Sequence, residues 1–179
     1  MSKFLKLSLL ATALAVSGAT AAKAVTLTVD SAANSTGGGV GLATGITLNI
    51  GQVFHVSADP LDTWSLGSND PCSRESNANG LTACFGNYFQ NGLSALYGSL
   101  VGQIGNGHFF FLGTNFTGSA TAAGQLFLYN FDSNQSDNSG SIVANVSAVP
   151  VPPALLLLGS GLVGLGALAR RKKLNIRSM

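Results

Sequence analysis

The sequence predicts an all-β domain, an antiparallel β-sandwich, set between two segments that act as addresses rather than fold. Three observations carry this. Apolar residues alternate with polar ones in short runs, Gly- and Asn-rich stretches separate the runs, and no convincing long amphipathic helix interrupts them. The chain has 179 residues, enough for one domain of ordinary size.

In order, the N-terminus comes first. Lys3 and Lys6 precede an apolar run, 7–16, too short to span a bilayer, and Ala22-Lys23-Ala24 is a small-x-small cleavage signal. Residues 1–24 are expected to be a secretory signal peptide with Val25 as the mature start; an uncleaved N-terminal anchor is the alternative. The sandwich is expected over 25–148. Val25, Leu27 and Val29 alternate with Thr26, Thr28 and Asp30, and the same period of two runs through 46–50 and 54–58. Further strands are predicted at 108–112, 125–131 and 141–149. The stretch 93–104 is ambiguous, and because Gly98 and Gly102 lower its helix propensity it is assigned as strand. Gly37-Gly38-Gly39, Gly105-Asn106-Gly107 and 133–140 are the expected turns.

The tail, 149–179, has three parts: Pro150-Val151-Pro152-Pro153, an apolar run at 154–169, and Arg170-Arg171-Lys172-Lys173. As a helix the 16-residue run would be about 24 Å long, slightly short of a hydrocarbon core of about 30 Å. The basic end is expected to stay cytoplasmic. Gly161, Gly164 and Gly166 suit either a close helix contact or simply a lower hydrophobicity.

Charge is segregated along the chain. Of nine basic residues only Arg74 lies between 25 and 149, against seven acids, so the body carries −6. That excludes a basic nucleic-acid binder, which needs clustered Lys and Arg. It also disfavours an enzyme for acidic substrates and suits a divalent cation. Cys72 and Cys84, in an oxidising compartment, are expected to form a disulfide with a structural role.

The densest polar cluster joins the last two predicted strands: Asp132-Ser133-Asn134-Gln135-Ser136-Asp137-Asn138-Ser139-Gly140. Carboxylates, amide oxygens and loop carbonyls are the hard donors calcium takes. The pattern fails as an EF-hand, because the turn glycine and the bidentate Glu fall on Asp137 and Val143. Asp and Asn are equally the natural formers of a solvated turn, so composition leaves calcium and a plain turn open. Elsewhere, Trp64 is expected to pack rather than stack on a sugar. His55 and His108 lack a third zinc ligand, and Asp59-Pro60 starts a turn more naturally than Asp59 and Asp62 form an acid–base pair.

Two resemblances sharpen this. The segment 149–173, with its Pro motif, short Gly- and Leu-rich run and basic end, resembles the PEP-CTERM sorting signal of Gram-negative bacteria. The central Glu of the motif is replaced by Val151, as in Val-Pro variants of the tail. The resemblance implies Pro150, Pro152 and Pro153 as the sorting motif and an exosortase-like processing enzyme as partner. It implies an inner-membrane-tethered precursor, then release to the cell surface or exopolysaccharide matrix; a simple uncut anchor is the alternative.

The region 51–149 resembles the calcium-dependent galactophilic lectins of bacteria, through Gly51-Gln52-Val53-Phe54-His55-Val56, Trp64-Ser65-Leu66-Gly67, Asn79-Gly80-Leu81, Leu100-Val101-Gly102-Gln103-Ile104-Gly105 and, most specifically, 126–140. This implies a lectin or jelly-roll type of sandwich. It implies calcium held by the side chains of Asp132, Asp137 and Asn138, a carbonyl at Gln135 in the 134–136 turn and a carbonyl near Leu66. Sugar contacts are implied at Ser76 and Asn79 beside Asp132 and Asp137. Ser76 and Asn79 depart from the family's His and Gln, and the acidic loop is about two residues shorter.

The expected function is a non-enzymatic, exported, calcium-binding carbohydrate-binding protein of the surface or exopolysaccharide. A matrix protein with a purely structural calcium loop is the alternative, and a hydrolase using Asp132 or Asp137 the third possibility.

Overall fold

The computed structural model describes residues 22–67, 74–82 and 85–150. Among these every regular element is a strand: β1 (Lys23–Asp30), β2 (Leu42–Leu48), β3 (Val53–Ala58), β4 (Trp64–Ser65), β5 (Glu75–Ser76), β6 (Asn87–Gln90), β7 (Leu93–Leu96), β8 (Ser99–Ile104), β9 (Phe109–Phe111), β10 (Asn115–Ser119), β11 (Gly124–Phe131) and β12 (Ser139–Ala148). The predicted 154–169 helix, the basic end 170–173, Pro152, Pro153, Cys72, Cys84 and nearly all of the signal peptide lie outside the described residues. No helix among the described residues is long and apolar enough to cross a membrane.

All strand pairs are antiparallel. One sheet is organised about β12. Its residues 141–148 pair with β1, Lys23 facing Ala148 and Asp30 facing Ser141. Its other edge is shared by β3, through 144–148, and β4, through Ser139 and Gly140. β10 continues the sheet beyond β3 and β5 beyond β4. The second sheet runs β2-β11-β8-β9. β1 starts at Lys23, two residues ahead of the expected mature start, because β12 still offers partners to Lys23 and Ala24.

The core follows from the period of two. Ile142, Ala144, Val146 and Ala148 point inward from β12, Phe54, Val56 and Ala58 from β3, Ile46 and Leu48 from β2, and Leu126 and Leu128 from β11. Each large side chain buried this way contributes about 1.5–3 kcal/mol. β2 carries a bulge opposite 125–127, where the register shifts. Gly45 takes a left-handed φ of 68° there, and the Thr44 hydroxyl donates to the Leu126 carbonyl at 2.8 Å.

The stretch 93–104 is not one strand. It is β7 and β8, in different sheets, broken at Tyr97-Gly98. Gly98 adopts φ 77°, and a Cβ on it would come within 3.0 Å of Ser76 Cβ and Leu66 Cδ1, so the close turn requires glycine. Residues 99–102 of β8 are buried on both faces. One face meets the sandwich core. The other is covered by a second cluster, in which Ala95, Val101 and Phe131 pack with Tyr88, Leu93, Phe109 and Tyr129 around the β6–β7 hairpin.

Candidate functional site

The site lies where the chain leaves β11 and enters β12. What positions it is a segment far away in sequence, 31–37. Ser35 bridges to Asn130, Thr36 N–H donates to the Asn130 carbonyl at 2.9 Å, and Asn130 N–H donates to the Asn34 carbonyl at 2.9 Å. The Thr36 hydroxyl then both donates to the Asp132 carbonyl, at 2.9 Å, and accepts from Asp132 N–H, at 3.0 Å. Ser31 holds the other end. Its N–H donates to the Gly140 carbonyl at 3.0 Å, and its carbonyl accepts from Asn130 Nδ2 and Asn138 Nδ2, both at 3.1 Å. Gly37 lies so close that a Cβ on it would strike the Ser133–Asn134 backbone.

Within the loop, Asp132 is nearly buried, at 6% exposure. Burial pushes its carboxyl above the ordinary 3.8; bonds from Ser133, Asn138 and Asn134 pull the other way, and the nearby Asp137 charge adds to the rise. Asn134 N–H donates to Asp132 Oδ2 at 3.4 Å, and Asn134 Oδ1 in turn accepts from the Ser136 N–H at 3.1 Å and hydroxyl at 2.8 Å. The Gln135 carbonyl closes the turn by accepting from Asn138 N–H at 3.3 Å. Asn138 is buried, and its Oδ1 has no hydrogen-bond partner. An orphaned buried acceptor of this kind needs an explanation.

Asp137 is more open. Its Oδ2 takes Arg74 Nη1 at 3.3 Å, and the same Nη1 donates to the Leu66 carbonyl at 3.2 Å. These groups edge a pocket of about 140 Å³, shared by Asp132, Asn134, Asp137 and Arg74 with the apolar Leu81, Phe85 and Tyr97. The Arg74 guanidinium also lies over the Phe85 ring, 5.5 Å from its centroid, and Phe85 meets Tyr97 edge-on at 5.9 Å.

The structure thus brings together Asp132, Asp137 and Leu66 at one pocket; Asn138, bonded to Asp132, and Gln135, whose carbonyl takes Asn138 N–H, are not among its lining residues. It does not bring Ser76 and Asn79 to that pocket. Ser76 is buried on β5 and donates to the Asn77 carbonyl at 2.7 Å. Asn79 Oδ1 accepts from Thr114 N–H at 2.9 Å and pins the turn before β10. Trp64 is buried, with Nε1 donating to the Gly98 carbonyl at 2.9 Å, so it packs and offers no face. His55 bonds Thr117 and His108 the Asn91 carbonyl. Asp59 accepts from Leu61 N–H in the expected turn. Arg74, Phe85, Tyr97 and the 31–37 clamp went unread in the sequence; the only hint was Arg74 as the lone cation of an acidic body.

Among the described residues no three His, Cys, Asp or Glu side chains gather as a metal cluster. The donors that do gather are oxygens: the Asp132 and Asp137 carboxylates and the Leu66 carbonyl. That set fits a hard divalent cation with mixed carboxylate and carbonyl ligands. A cationic nitrogen already rests on two of these oxygens.

Comparison with protein-family models and with curated proteins finds no match. Among solved structures, the chain is similar to one described as "EclA N-terminal domain; PllA-like lectin", at 22% identity and a TM-score of 0.46, over 69% of this chain and 95% of that one.

Proposed function

We propose that the sandwich is a calcium-dependent carbohydrate-binding domain of an exported surface or exopolysaccharide-associated protein, a binding module rather than an enzyme. The observation that carries this is the gathering of Asp132, Asp137 and Leu66 at one aromatic-edged pocket. Asp132, Asp137 and Asn138, with the Leu66 and Gln135 carbonyls, would hold the ion. Bound calcium supplies a centre for vicinal sugar hydroxyls. Phe85 and Tyr97 give the pocket an apolar edge against which the C–H side of a sugar ring can pack. Because Ser76 and Asn79 are spent on backbone groups, the polar sugar contacts fall to Asn134 and Ser133, which line the same pocket.

The burial of Asp132 supports a second reading, in which calcium only stiffens the loop of a matrix protein. A glycan array run with calcium and with chelator separates the two. Retention that needs calcium and disappears in Asp137→Ala is expected. Calcium binding with no glycan retained would leave the structural role, and no calcium binding at all would sink both.

In the same proposal, residues 1–24 direct export, and the 149–179 tail holds the precursor at the inner membrane for an exosortase-like enzyme. Cys72 and Cys84 would close a loop that carries Arg74 and Leu81, two residues of the pocket. Mass spectrometry of the exported species is the check: a retained Lys3, an intact 154–173 segment or two free thiols would each remove the corresponding part.

A further inference from the structure

The geometry points to Arg74 as a resident cation that occupies the calcium site when calcium is absent and competes with calcium for it, so that Arg74 sets the affinity of the site. This rests on the calcium reading above. Arg74 Nη1 lies 3.2 Å from the Leu66 carbonyl and 3.3 Å from Asp137 Oδ2, two of the proposed ligands. Calcium binds oxygen at about 2.3–2.6 Å. An ion entering from the pocket and reaching both oxygens must take the space of Nη1, and it meets a like charge there.

A glycine beneath the contact leaves room for it. Gly67, at φ 118°, forms its floor, and a Cβ on Gly67 would lie 2.8 Å from Nη1 and 2.9 Å from Asp137 Oδ2. A side chain at 67 would have to displace one or both of these side-chain ends. The guanidinium also has somewhere to go, since Phe85 already presents its ring face 5.5 Å from Cζ. Between Lys23 and Arg170 the sequence has no other basic residue. The body's lone cation therefore stands at its candidate cation site.

Competition has a signature that simple structural support lacks. Removing Arg74 takes its ion pair from Asp137, which weakens the metal-free protein, yet it vacates the oxygens and strengthens calcium binding. Structural support would move both in the same direction.

The test is calorimetric titration of the purified full chain with calcium, wild type against Arg74→Met, Arg74→Gln and Arg74→Lys, with thermal unfolding of each in chelator. Met and Gln should bind calcium roughly three- to fivefold more tightly, the factor that corresponds to releasing a part-exposed ion pair. Both should melt below wild type in chelator. Lys keeps the charge and should stay near wild type in both measurements. If Met fails to fold, Gln carries the comparison. Weaker or unchanged calcium binding in the neutral variants, with wild type binding normally, overturns this inference and leaves the calcium reading standing. Absence of calcium binding in every protein overturns both.

Discussion

β12 and the acidic loop that precedes it are consecutive in the chain, yet different forces hold them. β12 is held by alternation: Ile142, Ala144, Val146 and Ala148 face the core, and its backbone pairs with β1, β3 and β4. The loop 132–138 has almost no apolar content. It is held by side chains and backbone of the 31–37 segment, with Thr36 bonding a residue 96 positions away. A strand with one buried face tolerates change on its other face. A loop fixed by a few specific bonds does not, and that specificity keeps Asp132 buried and its oxygens gathered.

The largest effect should come from the regular region. Trp64 is fully buried and fills the core beside β12. Trp64→Ala should lower stability by about 3–5 kcal/mol, from lost burial and the cavity left behind. Denaturant unfolding measures it. A loss under about 1 kcal/mol would mean the core closes around the gap. That outcome would break the contrast between a packed region and a bonded one.

Gly37→Ala acts on the bonded region alone. The added methyl strikes the Ser133–Asn134 backbone, so the loop must shift. A moderate loss of about 1–3 kcal/mol is expected, as for overpacking elsewhere, with a larger proportional loss of calcium affinity. Unchanged calcium binding would show that the 31–37 clamp does not position the ligands.

The smallest effect is a pH dependence. Burial raises the Asp132 carboxyl above its ordinary value, so in the metal-free protein its charged form opposes folding. As pH falls from neutral through the native value, the folded state takes up the proton before the unfolded chain does, and this group's penalty is relieved. In chelator, Asp132→Asn should therefore melt above wild type at neutral pH, with the advantage shrinking as the pH approaches the carboxylate range. An advantage that does not vary with pH would mean that Asp132 is not strained by burial.

The strands were legible where one face is buried. Val29, Phe54, Val56, Ile142 and Val146 announce themselves by alternation, and all lie in the core. The stretch 93–104 reads as one strand because Gly98 and Gly102 argue against helix; β8 is buried on both faces and shows no alternation to mark where it begins, and the break at Gly98 depends on contacts with Leu66 and Ser76. The short strands β4, β5 and β6 and the strand β10 left no run long enough to read.

The sequence by itself determined the antiparallel all-β character of the body, the concentration of oxygen donors at 132–138 and the isolation of Arg74 in an acidic stretch. These are local properties, set by residue type and spacing. Only the tertiary structure decided that the 31–37 segment clamps the loop, that Ser76 and Asn79 turn to backbone groups, and that Arg74 bridges Asp137 and the Leu66 carbonyl. Each depends on which distant backbone groups lie unpaired beside a side chain once the two sheets close. Period and composition carry no record of that pairing.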